Sequence, residues 1–382
     1  MITRLRKFIQ QPAFLSVGLV FAILSIMMAF WVTRLPLLKV KLSISDGDLG
    51  IALFFLPLGS LIAMVMASKI IHKYGDGKIT IISTILFGLS VMLPFLTHSY
   101  GLFCFYLLIL GITVGLLDIS MNAVAGILES REKTIIMSTC HGFFSLGGMI
   151  GAGIASILIG MGIHPLPQLI ITFLLIVVLI LLFIIKNIWA IKSEPNGKDV
   201  PIFVIPTGGT ILLAIIAFCI MIGEGAVMDW STIYLEDFLK ADPYIVGFGY
   251  AGFSLFMTIG RFNGDYIVDK LGQKTVMTSG AILALVGITM VVVGQTMLAI
   301  IGFSLIGLGY STIVPIIFSH AAKIDGMAPA HGIAAVAGSG YMGFLIGPVL
   351  IGLIADQFGL NMSFVMLFIL TAIGFIAIRK SA

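Results

Sequence analysis

Charged residues are scarce. Asp, Glu, Lys and Arg make up 10% of the 382 residues, while hydrophobic ones make up 59%; soluble domains run at about 25% and roughly 45–50%. That shortage excludes an ordinary water-soluble fold, because a chain of this length cannot hide so much apolar surface in its own core. In lipid each helix can leave Leu, Ile and Phe facing outward. Cysteine is also sparse: Cys104, Cys140 and Cys219 each lie inside an apolar stretch, and three such thiols form no disulfide framework. Missing altogether are a Gly-x-x-x-x-Gly-Lys-Ser/Thr phosphate loop, a cluster with metal-ligand spacing and a nucleophile–base pair. An ATP-driven pump or a membrane enzyme lacks its parts, and no cofactor is expected. The net charge of +4 comes without a basic patch, which leaves no surface for nucleic acid.

What remains is a series of long apolar runs. With a span of about 20 residues as the template, helices are expected near residues 12–36, 47–69, 79–97, 100–128, 135–161 and 166–186, then near 207–237, 243–268, 275–295, 297–322, 331–356 and 361–379. Arg4, Arg6 and Lys7 before the first run imitate a signal peptide, but the run exceeds an h-region of about 7–15 residues and is expected to stay as a helix. The polar stretch from Lys192 to Asp199, with Pro195 and Gly197, reads as a linker. The chain therefore divides into bundles over 1–186 and 207–382 with a cytoplasmic linker over 187–206. Of the 21 Lys and Arg residues, a cytoplasmic N-terminus places all but Arg34, Lys39, Lys41 and Lys240 inside, so both termini are expected in the cytoplasm of a bacterial-type inner membrane.

The halves echo each other. His72-Lys73-Tyr74-Gly75-Asp76-Gly77-Lys78 after the second helix parallels Asp269-Lys270-Leu271-Gly272-Gln273-Lys274 after the eighth, and His141-Gly142 parallels His331-Gly332. Internal repeats of this size mark secondary transporters.

The run from Gly264 to Lys274, with its degenerate copy at His72 to Lys78, resembles the loop signature of the major facilitator superfamily, and the resemblance covers essentially the whole chain. It implies an all-α integral membrane protein: twelve transmembrane helices in two pseudo-symmetric six-helix bundles, with a site near the midplane. Asp118-Ile119-Ser120-Met121-Asn122 and Gly223 to Ser231 are similar to the fucose-permease-like branch, although residues 12–36 lack the acidic residue of the sugar permease. Drug exporters of the superfamily carry Gly-Pro in helix five; here Gly347-Pro348 falls in helix eleven instead.

A carboxylate at membrane depth costs roughly 2.5–3.5 kcal/mol on insertion scales and normally faces a cavity or a partner. Asp118 lies about 15 Å of helix rise from the cytoplasmic end of helix four, on one stripe with Gly111, Gly115 and Asn122. It lines a cavity and exchanges a proton, or it bonds a neighbouring helix. His141 shares a stripe with Ser138, Ser145 and Gly148 and is either a proton relay, a solute contact or a structural donor. Glu224, about 21 Å into helix seven between two glycines, is a coupling or solute-binding group unless it only bonds a neighbouring helix. Ser231 shares its face in a straight helix. Trp230 is an interfacial anchor, or its ring stacks on a solute. Tyr250, Ser254, Thr258, Arg261 and Asp265 form a polar stripe on helix eight, where Arg261 pairs with Asp265 or reaches solute or the opposite half.

Gly264, Asp265, Asp269, Lys270, Gly272 and Lys274 are assigned to gating, bonding helix ends across the halves. Most of the 44 glycines, such as Gly338, Gly340, Gly343, Gly347 and Gly352, read as close helix contacts. The sum is a monomeric secondary transporter, surrounded by lipid, that moves a small polar solute with protons by alternating access. Two other readings stay open: export of amphipathic compounds, and a sensor or scaffold without turnover.

Overall fold

The computed structural model describes residues 2–193, 204–324, 327 and 329–381; half of the expected linker, residues 194–203, lies outside them. Among the described residues the chain is helical throughout and contains no strand. This is what lipid demands, since a helix satisfies its backbone hydrogen bonds within one segment. We label the long helices α1 (Pro12–Val32), α2 (Asp46–Tyr74), α3 (Asp76–Ser90), α4 (Tyr100–Glu132), α5 (Met137–Gly160) and α6 (Pro165–Ile188). The second set is α7 (Thr210–Phe238), α8 (Phe248–Leu271), α9 (Gln273–Val292), α10 (Thr296–Ala321), α11 (Pro329–Phe358) and α12 (Leu360–Ser381).

Eleven of these segments are long and apolar enough to cross a membrane. The twelfth, α8, has the length at 24 residues, but Arg261, Asn263 and Asp265 dilute its hydropathy. Several ends differ from the sequence expectation. The first helix stops at Val32 because Thr33 and Arg34 form a turn, after which Leu35–Leu42 makes a separate short helix. Residues 243–247 form turns before α8 and do not belong to it.

The chain separates into two compact units. One holds residues up to Leu42 and from Phe55 to the linker region; the other holds Ser43–Phe54 and everything after the linker region. In the first unit α1 lies against α5, where a Cβ on Gly147 would meet the Ala22 carbonyl oxygen at 2.5 Å and one on Gly151 would meet the Ala29 Cβ at 2.8 Å. A Cβ on Gly111 of α4 would sit 1.9 Å from the Leu56 carbonyl oxygen of α2, and one on Gly115 would sit 2.8 Å from the Ser60 Cα. These two glycines of the Asp118 stripe are therefore closed into helix packing.

In the second unit α7 lies along α11, with the expected contact glycines Gly340 against Met221 and Gly343 against the Phe218 carbonyl. Between α9 and α10 the approach is reciprocal: Gly280 faces Gly309 and Gly287 faces Gly302, with less room than any Cβ needs. Tyr310 and Thr371 hydroxyls join α10 to α12 at 2.6 Å, and the Tyr234 hydroxyl donates to the Val291 carbonyl at 2.7 Å. Buried polar atoms of this kind tie helices together where lipid offers no competing partner.

The repeated loops share one backbone device. Gly75 joins α2 to α3 at φ 96° and ψ 148°, and Gly272 joins α8 to α9 at φ 79° and ψ 151°. That region is essentially closed to residues with a Cβ. Gly75→Ala and Gly272→Ala are each expected to lower the melting temperature of the purified protein, by the equivalent of about 1–3 kcal/mol of strain; unchanged melting would show that the turns relax.

Candidate functional site

Two polar centres lie within the membrane-spanning helices, one in each unit. In the first, Asn122 donates through Nδ2 to the Asp118 backbone carbonyl at 2.8 Å and to its carboxylate at 3.2 Å, one helical turn away on α4. Both side chains retain partial exposure, so the pair is neither lipid-facing in full nor sealed. The amide meets one carboxylate oxygen at moderate length, which leaves capacity for a further donor. His141 of α5 stands edge-on to Phe21 of α1, ring centres 5.3 Å apart, and its backbone carbonyl accepts from the Ser145 hydroxyl at 3.3 Å.

In the second unit Glu224 of α7 faces Arg261 of α8, with Oε2 and the guanidinium NH2 3.9 Å apart. Sequence spacing offers Asp265 as the partner, one turn along the same helix. The structure supplies an ion pair from the neighbouring helix; the Asp265 side chain lies outside the described set. The separation exceeds the roughly 2.7–2.9 Å of a tight charge-assisted hydrogen bond, and the two side chains are 17% and 22% exposed. Each charge lowers the cost of the other at membrane depth without locking it. Along α7 the partly exposed residues Met221, Glu224 and Met228 form one stripe.

The remaining site expectations fall inside helix packing. Trp230 and Ser231 have no exposed surface, and Tyr250, Ser254 and Thr258 are nearly as buried. Trp230 thus neither fronts the headgroup layer, as an interfacial anchor would, nor offers a ring face to a solute. Ser231 looks toward Gly249 of α8. In the polar stripe of α8, Thr258 donates to the Ser254 carbonyl at 2.7 Å, and only Arg261 keeps appreciable exposure among the stripe residues whose side chains are described.

At the repeated loop Gly264 abuts Thr312, where an added Cβ would come within 2.9 Å of its methyl, and Lys270 lies 4.5 Å from the Tyr266 ring centre. Asp269 and Lys274 flank the Gly272 turn. Gln273 and His320 side chains bond at the start of α9 and the end of α10. In the first unit the equivalent Asp76 accepts from the Ser193 backbone N–H at 2.6 Å. Two contacts escape sequence reasoning. Glu129, near the end of α4, accepts from the Ile136 and Met137 N–H groups at 2.6 and 2.7 Å and so satisfies the start of α5. Arg34 is buried and donates to Ile163 and Gln168 at 2.9 and 3.1 Å. Neither carries a local signature; both join elements brought close only by the fold.

Long apolar helices that carry charges along their length mark a polytopic membrane protein, and the sequence match gives its family. The chain belongs to the Major Facilitator Superfamily, which it matches over residues 12–327 and again over 213–380. It is a multi-pass membrane transporter, not an enzyme. An uncharacterised transporter of this type from Yersinia pestis is 34% identical over 368 residues, 95% of either chain. Among solved structures, the nucleoside transporter NupG superposes with a TM-score of 0.75 at 13% identity, covering 96% of this chain and 98% of its own. A D-xylose–proton symporter gives 0.72 at 14%, with 96% and 97% covered. At such identity these two establish the fold alone.

The ion pair has a measurable signature. Removing one partner of a well-buried pair costs roughly 3–5 kcal/mol, chiefly by stranding the other. For this partly exposed one, Arg261→Met is expected to cost about 2 kcal/mol. Adding Glu224→Gln should restore much of the lost melting temperature. Strictly additive losses in a double-mutant cycle would mean that the two charges do not interact.

Proposed function

We propose that the protein is a secondary active transporter that moves a small polar, sugar-like solute by alternating access, coupled to protons. The observation that carries the reading is the loose Glu224–Arg261 pair at membrane depth. An ionisable pair is costly there and is retained where a solute or ion path needs it. Solute hydroxyls can replace one member of a pair held at 3.9 Å, and whichever partner is displaced changes the relative free energy of the conformational states.

Asp118, Asn122 and His141 are the corresponding polar groups of the first bundle. Trp230, Ser231 and Tyr250 support α7 and α8 from within the packing, close to the groups that meet the solute. We assign Gly264, Asp265, Asp269, Lys270, Gly272 and Lys274 to gating. The distribution of Lys and Arg supports a bundle over 1–186, a cytoplasmic linker over 187–206 and a second bundle over 207–382, in an inner membrane with both termini cytoplasmic. The choice of solute class rests on the similarity of the Asp118 and Glu224 segments to the fucose-permease-like branch. It is consistent with folds shared with a nucleoside transporter and a D-xylose–proton symporter.

Purified protein in vesicles loaded with a pH-sensitive dye provides the test, with pentoses, hexoses and nucleosides as the solutes tried. One of these is expected to drive proton movement, and Asp118→Asn or Glu224→Gln to reduce that coupled flux at least about tenfold, the loss of roughly 1.4 kcal/mol. Labelled solute that equilibrates without protons would make the protein a facilitator. Movement of amphipathic dyes but of no sugar or nucleoside would replace the solute class.

A further inference from the structure

Asp229 of α7 is 7% exposed, and among the described residues no donor or cation meets its carboxyl group. This contrasts with the other carboxylates of the transmembrane core, since Asp118 has Asn122 and Glu224 has Arg261. The helices packed against α7 are α8, α10, α11 and α12. At mid-depth they bring Arg261 from α8, Tyr310 from α10 and Tyr341 from α11, while their other titratable groups lie toward the ends: Tyr250, Asp265, Tyr266, Asp269 and Lys270 on α8, His320 on α10, His331 and Asp356 on α11, Arg379 and Lys380 on α12. Arg261 is engaged with Glu224. From α7 itself, Glu224 sits about 7.5 Å back along the axis and about 140° around it, so Asp229 shares neither its face nor its partner; Cys219 and Tyr234 are the other titratable side chains nearby on this helix.

The three residues that follow add a constraint. Among the described residues, the buried atoms Trp230 Nε1, Ser231 Oγ and Thr232 Oγ1 have no hydrogen-bond partner. Successive side chains of a helix diverge by about 100°, so Trp230 and Ser231 point away from Asp229, and only Thr232, three residues on, shares its face. One carboxyl and one hydroxyl fall short of the several oxygens a metal cation needs around one point, and among the described residues no cluster of His, Cys, Asp or Glu supplies more. A lone carboxyl group can hold one ion without other ligands, and that ion is a proton. An isolated carboxylate charge with so little exposure to water is costlier than the neutral acid.

We infer that Asp229 is a proton-holding site distinct from the Glu224–Arg261 pair: it carries its proton while buried and releases it when a change in α7 admits water. In the release step the carboxyl O–H bond breaks, its electron pair stays on oxygen and water takes the proton. Use of that proton in a transport cycle rests on the function proposed above; its presence does not.

The test is infrared spectroscopy of the full-length protein in lipid vesicles at neutral pH, reading the C=O stretch of neutral carboxyl groups. Asp229→Asn is expected to remove one such carboxyl per chain from the wild-type band, and Glu224→Gln to leave that component in place. A band unchanged by Asp229→Asn overturns the inference. Should that variant not fold, wild-type protein treated with dicyclohexylcarbodiimide, which attacks protonated carboxyls in apolar surroundings, serves in its place. Mass spectrometry is then expected to find the adduct on Asp229, and its absence there overturns the inference. Vesicles that show the Asp229 band but no solute flux would remove the transport reading and leave the proton site standing.

Discussion

Helices in lipid attract one another without help from water. Lipid tails are as apolar as leucine, so nothing is gained by hiding one leucine against another, and association depends on how near two backbones can come. In this protein that nearness is bought with glycine. Gly111 and Gly115 bring α4 against α2, Gly340 and Gly343 bring α11 against α7, and Gly280, Gly287, Gly302 and Gly309 bring α9 and α10 together from both sides. The placement of every polar side chain follows from these approaches. α7 and α8 approach at Gly249, where the Ser231 Cβ lies 3.3 Å from the site of an added Cβ, and Glu224 meets Arg261 farther along the same two helices.

Charge is the second constraint, and the molecule meets it in graded ways. Arg34 is buried and donates from one guanidinium nitrogen to a carbonyl and to Gln168. Glu129 and Asp76 accept backbone N–H groups where helices begin or end. The mid-membrane groups are less completely satisfied, with Asp118 sharing one amide and Glu224 held at a distance from its cation. This looser satisfaction at membrane depth is the feature on which the proposed solute-binding role of these groups rests.

The architecture was legible from composition and from the span of apolar runs, since the requirement to close backbone hydrogen bonds within each segment leaves few alternatives. Even α8, whose polar stripe weakens its hydropathy, was recoverable from the loop signature that ends it, and both copies of that signature turn at a glycine that no other residue replaces. The pairing of side chains was less accessible. Arg261 suggested its in-helix neighbour because sequence spacing reports only one helix at a time, whereas the Glu224 contact depends on how two helices cross. Trp230 misled for a related reason: a tryptophan near a helix end usually marks the headgroup layer, but here the surrounding helices enclose it entirely. The glycines of the Asp118 stripe were ambiguous between cavity and contact, and only the neighbouring backbone of α2 decides for contact.

The stripe that carries Glu224 also carries Met221 and Met228, one turn to either side. Thioether chains are unbranched and polarizable, and they reshape themselves around irregular partners at little cost. On the transport reading proposed above, a carboxylate bordered by such pliable walls fixes the polar end of a guest while leaving its outline loosely specified. That reading makes selectivity at Glu224 a matter of hydrogen-bonding character more than of shape, a basis for tolerating a family of related molecules in place of a single one.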